Sequence, residues 1–185
     1  ASPTADAAPA PHPLLQKSES VQLTPVADTY VDPALPANNF GSAGNLRAYA
    51  QGVTAAIQSE VLLQFNLASI PAGSIINRAT LTLRQYEATG QDPWSLSIAR
   101  VTQSWNEGAV TYRTKPTAAP TNLVLNSKAV ANVDVSADLT DLVRQWFYQP
   151  FAFPNNGLLL TASNVTPVAR QFYSKEGRVA PHLTI

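Results

Sequence analysis

With 185 residues the chain is long enough for one domain with a sizeable hydrophobic core and an appendage. Twelve basic residues cancel twelve acidic ones and neither sign is clustered, which excludes a phosphate-binding stripe for nucleic acid and a polybasic membrane anchor. Cysteine and methionine are both absent, so disulfides, thiol chemistry and thiolate metal sites are excluded, and no apolar run reaches the ~20 residues of a transmembrane segment.

Residues 1–20 form an extended segment rich in Ala and Pro, compositionally unlike the rest. A start of Ala-Ser-Pro without an initiator Met is what a mature chain would carry after loss of a signal peptide. Charged residues make up only 13 % of the whole, against about 25 % in an average soluble domain. The expectation is a secreted protein, extracellular or at the cell surface. Pro9, Pro11 and Pro13 share a parity, so in an extended strand they remove donors from one edge only. The other edge would leave Ala10, His12 and Leu14, with Leu15 beside them, as partner-docking residues. The same prolines serve a polyproline spacer equally well.

From Val21 to Ile185 the dominant period is two. Val61, Leu63 and Phe65, then Leu81 and Leu83, Leu96 and Ile98, Val133 and Val135, Leu158 and Leu160, and Leu183 and Ile185 mark strands with one buried face. Turn signals separate them, among them Asn38-Asn39-Phe40-Gly41, Pro71-Ala72-Gly73 and Asn155-Asn156-Gly157. Roughly nine to eleven strands at this spacing predict an all-β fold, an antiparallel two-sheet sandwich. One stretch departs from the period: Leu139, Leu142, Val143, Trp146 and Phe147 fall at helical spacing behind Asp138, a natural N-cap, with Asp141 in the first turn. One short amphipathic helix is expected there, lying across an end of the sandwich.

Four pieces together resemble a known family. They are Ala27-Asp28-Thr29-Tyr30-Val31 followed by Asn39-Phe40-Gly41 and Leu46-Arg47; Leu62 to Leu67 with Ile70-Pro71-Ala72-Gly73; Arg100-Val101-Thr102 with Ser104-Trp105-Asn106-Glu107; and Val133-Asp134-Val135 through Trp146 to Asn155-Asn156-Gly157-Leu158. In this order, over about residues 25 to 185, the chain resembles the DNRLRE-type domain of secreted bacterial and archaeal proteins. The resemblance implies a jelly-roll-like sandwich related to carbohydrate-binding modules. It departs at Phe172-Tyr173-Ser174-Lys175-Glu176, where Lys175 stands in place of the relatives' arginine.

Chemistry is sparse in the sequence. The acids are scattered singly, which disfavours a hydrolytic carboxylate pair, and the two histidines, His12 and His182, do not suggest a serine triad. No catalytic residues and no cofactor are expected; Asp28, Asp32 and Asp134 are the candidate ligands should a structural calcium be bound. Sugar binding needs aromatic faces beside amides and charges, for which Tyr49, Tyr86, Trp94, Trp105, Tyr112 and Tyr173 are the candidates, Trp94 being expected to be the most exposed and Trp105 to pack. The leading expectation is a non-enzymatic structural subunit, assembling with copies of itself head-to-tail into a fibre by N-terminal strand addition. The alternative is a carbohydrate-binding module for an extracellular polysaccharide, with residues 1–20 as linker and 21–185 as the domain.

Overall fold

The computed structural model describes residues 18–52, 58–90, 94–162 and 164–185. Within them the alternating stretches form β1 (Gln22–Leu23), β2 (Pro25–Val31), β3 (Asn45–Gly52), β4 (Gln58–Phe65), β5 (Thr80–Thr89), β6 (Trp94–Val101), β7 (Ala118–Ser127), β8 (Val133–Asp138), β9 (Leu158–Thr161), β10 (Asn164–Tyr173) and β11 (His182–Thr184). Every pairing is antiparallel. The first layer runs β1-β11-β5-β10-β3, with β8 on the far edge of β5; the second runs β4-β9-β6-β7, with β2 on β4. A junction of β3 with β4, at Tyr49 against Ser59 and Ala50 against Gln58, makes the hydrogen bonding continuous, so the sandwich is one curled sheet.

The inward parity is the one expected from the sequence. Val61, Leu63 and Phe65 of one layer face Leu81, Leu83, Val135 and Leu183 of the other in a single buried core with Leu96, Ile98, Leu158 and Leu160. The helix is present as α1 (Thr140–Tyr148) and buries Leu142, Val143 and Trp146. The N-cap position is Leu139, not Asp138 as expected; Asp138 lies one residue earlier, and its Oδ1 accepts from the Thr140 amide at 2.8 Å, satisfying an otherwise orphan donor. Arg144 and Tyr148 then tie the helix to the segment before β5: Arg144 Nε donates to the Ile76 carbonyl at 2.9 Å, and the Tyr148 hydroxyl accepts from the Ile76 amide at 2.8 Å.

The outward faces of the two layers differ. Leu62 and Leu159 point away from the main core, yet both are buried, because the connection between β6 and β7 folds over them. Val110 closes this second small core with Val31 and Val101, and Trp105 and Tyr112 pack against it. Trp105 is fixed by its indole N–H, which donates to the Asn156 carbonyl at 2.9 Å. The outward face of β5, β10 and β3 is instead polar and half-buried.

Candidate functional site

Register determines which side chains share the open face. On β10 Val168, Arg170 and Phe172 are buried, so Gln171 and Tyr173 point outward. They pair with Arg47 and Asn45 of β3, and Tyr49 lies on the same face opposite Ala169. On the other side Gln171 pairs with Glu87 while Phe172 pairs with Gln85, so Tyr86 is the extra residue of a β-bulge. Tyr86 and Glu87 consequently both project outward, where strict alternation would have turned one of them in.

The result is a connected platform. The Gln171 amide oxygen accepts from Asn45 Nδ2 at 3.0 Å and from the Tyr86 hydroxyl at 2.8 Å, and its Nε2 donates to Glu87 Oε2 at 2.7 Å. Tyr86 stacks on Tyr173 with ring centroids 4.6 Å apart. Arg47 lies over the Tyr49 ring at 4.9 Å and donates to Asp32 Oδ2 at 2.7 Å, while the Tyr49 hydroxyl bonds Gln51. Burial, and then the neighbouring Glu87, push the Tyr86 phenol above its ordinary pKa, so it stays a neutral donor. Three phenol rings beside an amide, a carboxylate and a guanidinium offer both the apolar faces and the directed polar groups that recognise polyols.

A second cluster lies just past Tyr173. Asp28 of β2 is 1 % exposed, its Oδ2 accepts from the Lys175 amide at 2.8 Å, and its Oδ1 has no hydrogen-bond partner among the described residues. The Asp28 amide donates to Glu107 Oε1 at 2.7 Å, and Lys175 Nζ donates to Glu107 Oε2 at 2.9 Å and also bonds Glu176. The loops that bring these groups together are clasped: Asn39 Nδ2 donates to the carbonyls of Glu107 and Val110 at 2.6 and 2.7 Å, and Tyr30 stacks on Phe40 at 4.3 Å. Gly41 is required by this approach, since a Cβ there would stand 2.3 Å from the Glu107 carbonyl oxygen. Thus two pieces of the family-like sequence, far apart in the chain, meet with Lys175 in one knot.

Burial raises the Asp28 carboxyl to a pKa of about 7, the Lys175 amide opposing and the Glu176 and Glu107 charges adding to the rise. At Lys175 burial works against the charge, but hydrogen bonds to Glu107 and Glu176 prevail and hold the ammonium above its usual pKa. Glu176 is held below the usual carboxylate range: burial opposes this, and the bond from Lys175 outweighs it. Carboxylate oxygens of Asp28, Glu107 and Glu176 lie within 4.8 Å of one another, an oxygen set suited to a hard cation that would compete with the ammonium.

The sequence candidates divide accordingly. Tyr49 and Tyr86 come together on the platform, joined by Tyr173, whose outward aim follows from the inward Phe172. Trp94 requires a correction: it is only 6 % exposed, beneath Arg170, whose guanidinium lies 5.4 Å from its ring. Its position in phase with Leu96 and Ile98 is the signal that outweighs the turn-type sequence Asp92-Pro93 before it. Tyr112 stands apart on the covered face, with Lys115 Nζ 4.5 Å above its ring. The proposed calcium set is not assembled either. Asp32 pairs with Arg47 and Asp134 with Arg84 at 3.2 Å, and among the described residues only Asp28 of the three sits in a carboxylate cluster. Ala10, His12, Leu14 and Leu15 lie outside the described residues. Among the described residues no helix is long and apolar enough to cross a membrane.

Residues 19–185 match the sequence profile of one protein family, described as carbohydrate-binding module family 96. Comparison with curated proteins gives no match.

Proposed function

The chain belongs to carbohydrate-binding module family 96, and from that premise we propose that it is a non-catalytic, extracellular module that binds a polysaccharide along the outward face of β5, β10 and β3. The family favours this reading over the fibre-subunit reading. The observation that carries the location is the Gln171-centred platform, on which Tyr49, Tyr86 and Tyr173 are held half-exposed by hydrogen bonds and stacking. Pyranose rings present C–H faces that pack on aromatic rings and hydroxyls that need directed partners. A platform already fixed in place loses little side-chain entropy on binding. The helix end offers a contrast: Phe151 is fully exposed there without a comparable polar setting.

Affinity electrophoresis through gels containing soluble polysaccharides tests the proposal. The protein should be retarded by at least one polymer, and Tyr173→Ala and Tyr49→Ala should each abolish most of the retardation while keeping the native circular dichroism. Phe151→Ala should migrate like the parent. Retardation that survives both tyrosine substitutions removes the platform as the site.

A further inference from the structure

The acidic cluster beyond Tyr173 gathers more carboxyls than its ammonium satisfies. Asp28, Glu107 and Glu176 converge there, and among the described residues Lys175 is the cation bonded into the group, 2.8 Å from Glu107 and paired also with Glu176. Asp28 receives the Lys175 backbone amide on Oδ2 instead. Its Oδ1 is fully buried and has no hydrogen-bond partner among the described residues. A buried carboxyl oxygen without a donor is costly, and where one persists in a native fold an ion or a water is its ordinary partner.

We propose that Asp28, Glu107 and Glu176 form a calcium site, in which the dication displaces the Lys175 ammonium and takes the open oxygen of Asp28 as a ligand. Calcium binds oxygens at about 2.4 Å. The three carboxylate oxygens lie within 4.8 Å of one another, so no pair is further apart than two such bonds end to end. The set holds neither imidazole nor thiolate, which favours a hard cation over zinc or copper. Its backbone is already fixed: Asn39 Nδ2 donates to the Glu107 carbonyl at 2.6 Å, and the Asp28 amide donates to Glu107 Oε1 at 2.7 Å. Entry is from the lysine side. Asp28 is sealed, but the side chains of Lys175, Glu107 and Glu176 remain 23, 23 and 31 % exposed. The ammonium can therefore swing into water as the ion arrives, and solvent can fill the remaining coordination positions. Lysine suits this exchange, being a point charge on a flexible stem, whereas an arginine here would grip carboxylates with a rigid fork.

Calorimetric titration of calcium chloride into the full chain, stripped of metal by a chelator, tests the site, with thermal unfolding as a second readout. One ion per chain should bind with a Kd of about 0.1–1 mM, the range of extracellular calcium modules. Calcium at ~10 mM should then raise Tm by about 3–6 °C. Glu176→Gln, at the open side, should weaken binding about tenfold by removing a ligand charge, and Lys175→Met should strengthen it about tenfold by removing the competitor. No heat and no rise in Tm for the parent overturns the proposal, even where Lys175→Met binds, because the ammonium is then the resident cation. Binding unchanged in Glu176→Gln puts the ion elsewhere and overturns it too, and an equal response to magnesium reduces the effect to charge screening. None of these readouts involves a polysaccharide, so the platform stands or falls separately.

Discussion

On β4 and β9 the outward residues Leu62 and Leu159 are apolar and buried, whereas on β3 and β10 the outward residues Arg47, Tyr49, Gln171 and Tyr173 are polar or amphipathic and half-buried. Both layers supply an inward face to the same core, so their difference lies in what the connections do. Residues 102–117 cross the second layer and seal it, with Thr102 and Thr117 bonded at the base of the loop, amide to carbonyl at 2.9 Å. Apolar outward residues are affordable where the chain itself excludes water. The uncovered layer has to remain wet, so it carries hydrogen-bonding groups and rings, the materials of recognition. In a sandwich the site therefore follows from which face the loops leave open.

The comparison is most easily broken at Leu62. Replacing this fully buried side chain by Ala should cost about 2–5 kcal/mol in urea unfolding, through lost burial and a cavity beneath Val110, while polysaccharide affinity of the folded protein stays unchanged. A negligible cost would mean that the connection does not seal this face. Asp28 comes next because it links the two regions, from the β2 edge of the sealed layer to Lys175 beyond β10. Its folded pKa of about 7 lies above the ordinary 3.8, so folding takes up a proton in between. This carboxyl's favourable contribution is complete below 3.8 and is lost as the pH rises through about 7, each unit between the two values weighing ~1.4 kcal/mol. Urea titrations at pH 4.5 and pH 8 should show Asp28→Asn flattening that fall; a parallel fall in the variant would assign it elsewhere.

On the open face the order of effects reverses. Gln171→Ala should change stability by no more than about 1 kcal/mol, because water replaces its partners, yet it should weaken polysaccharide binding about tenfold. A stability loss as large as that of Leu62→Ala would make the network a structural element instead. The smallest effect is expected at the Arg84–Asp134 pair, whose side chains are 32 % and 60 % exposed. A double-mutant cycle there should yield a coupling of about 0.2–1 kcal/mol that fades with added salt.

Much of the fold was readable from particular residues. The parity of Val61, Leu63 and Phe65, or of Leu81 and Leu83, states which side is buried, and the 139–147 spacing states a helix. The three rings of the platform were readable too, in Tyr49, Tyr86 and Tyr173. Gln171 follows from Phe172 by alternation, but Arg170 obscures the pattern: a charged residue occupies an inward position and donates from Nε to Ser127 at 3.0 Å and from Nη1 to the Thr89 carbonyl at 2.7 Å. Trp94 misled for the opposite reason, because the turn-type residues before it in the sequence suggested exposure while its phase with Leu96 put it inside.

By itself the sequence determined the strand parity, the helix and the absence of disulfide and thiol chemistry, because each depends on the composition or short-range periodicity of a contiguous stretch. The tertiary structure alone decided that Tyr86 and Glu87 face the same way, since a bulge is defined against the neighbouring strand. It alone joined Asp28 to Glu107 and Lys175, 79 and 147 residues away, and covered one face but not the other. Those outcomes depend on loops closing over long separations, and local periodicity carries no record of where such loops come to rest.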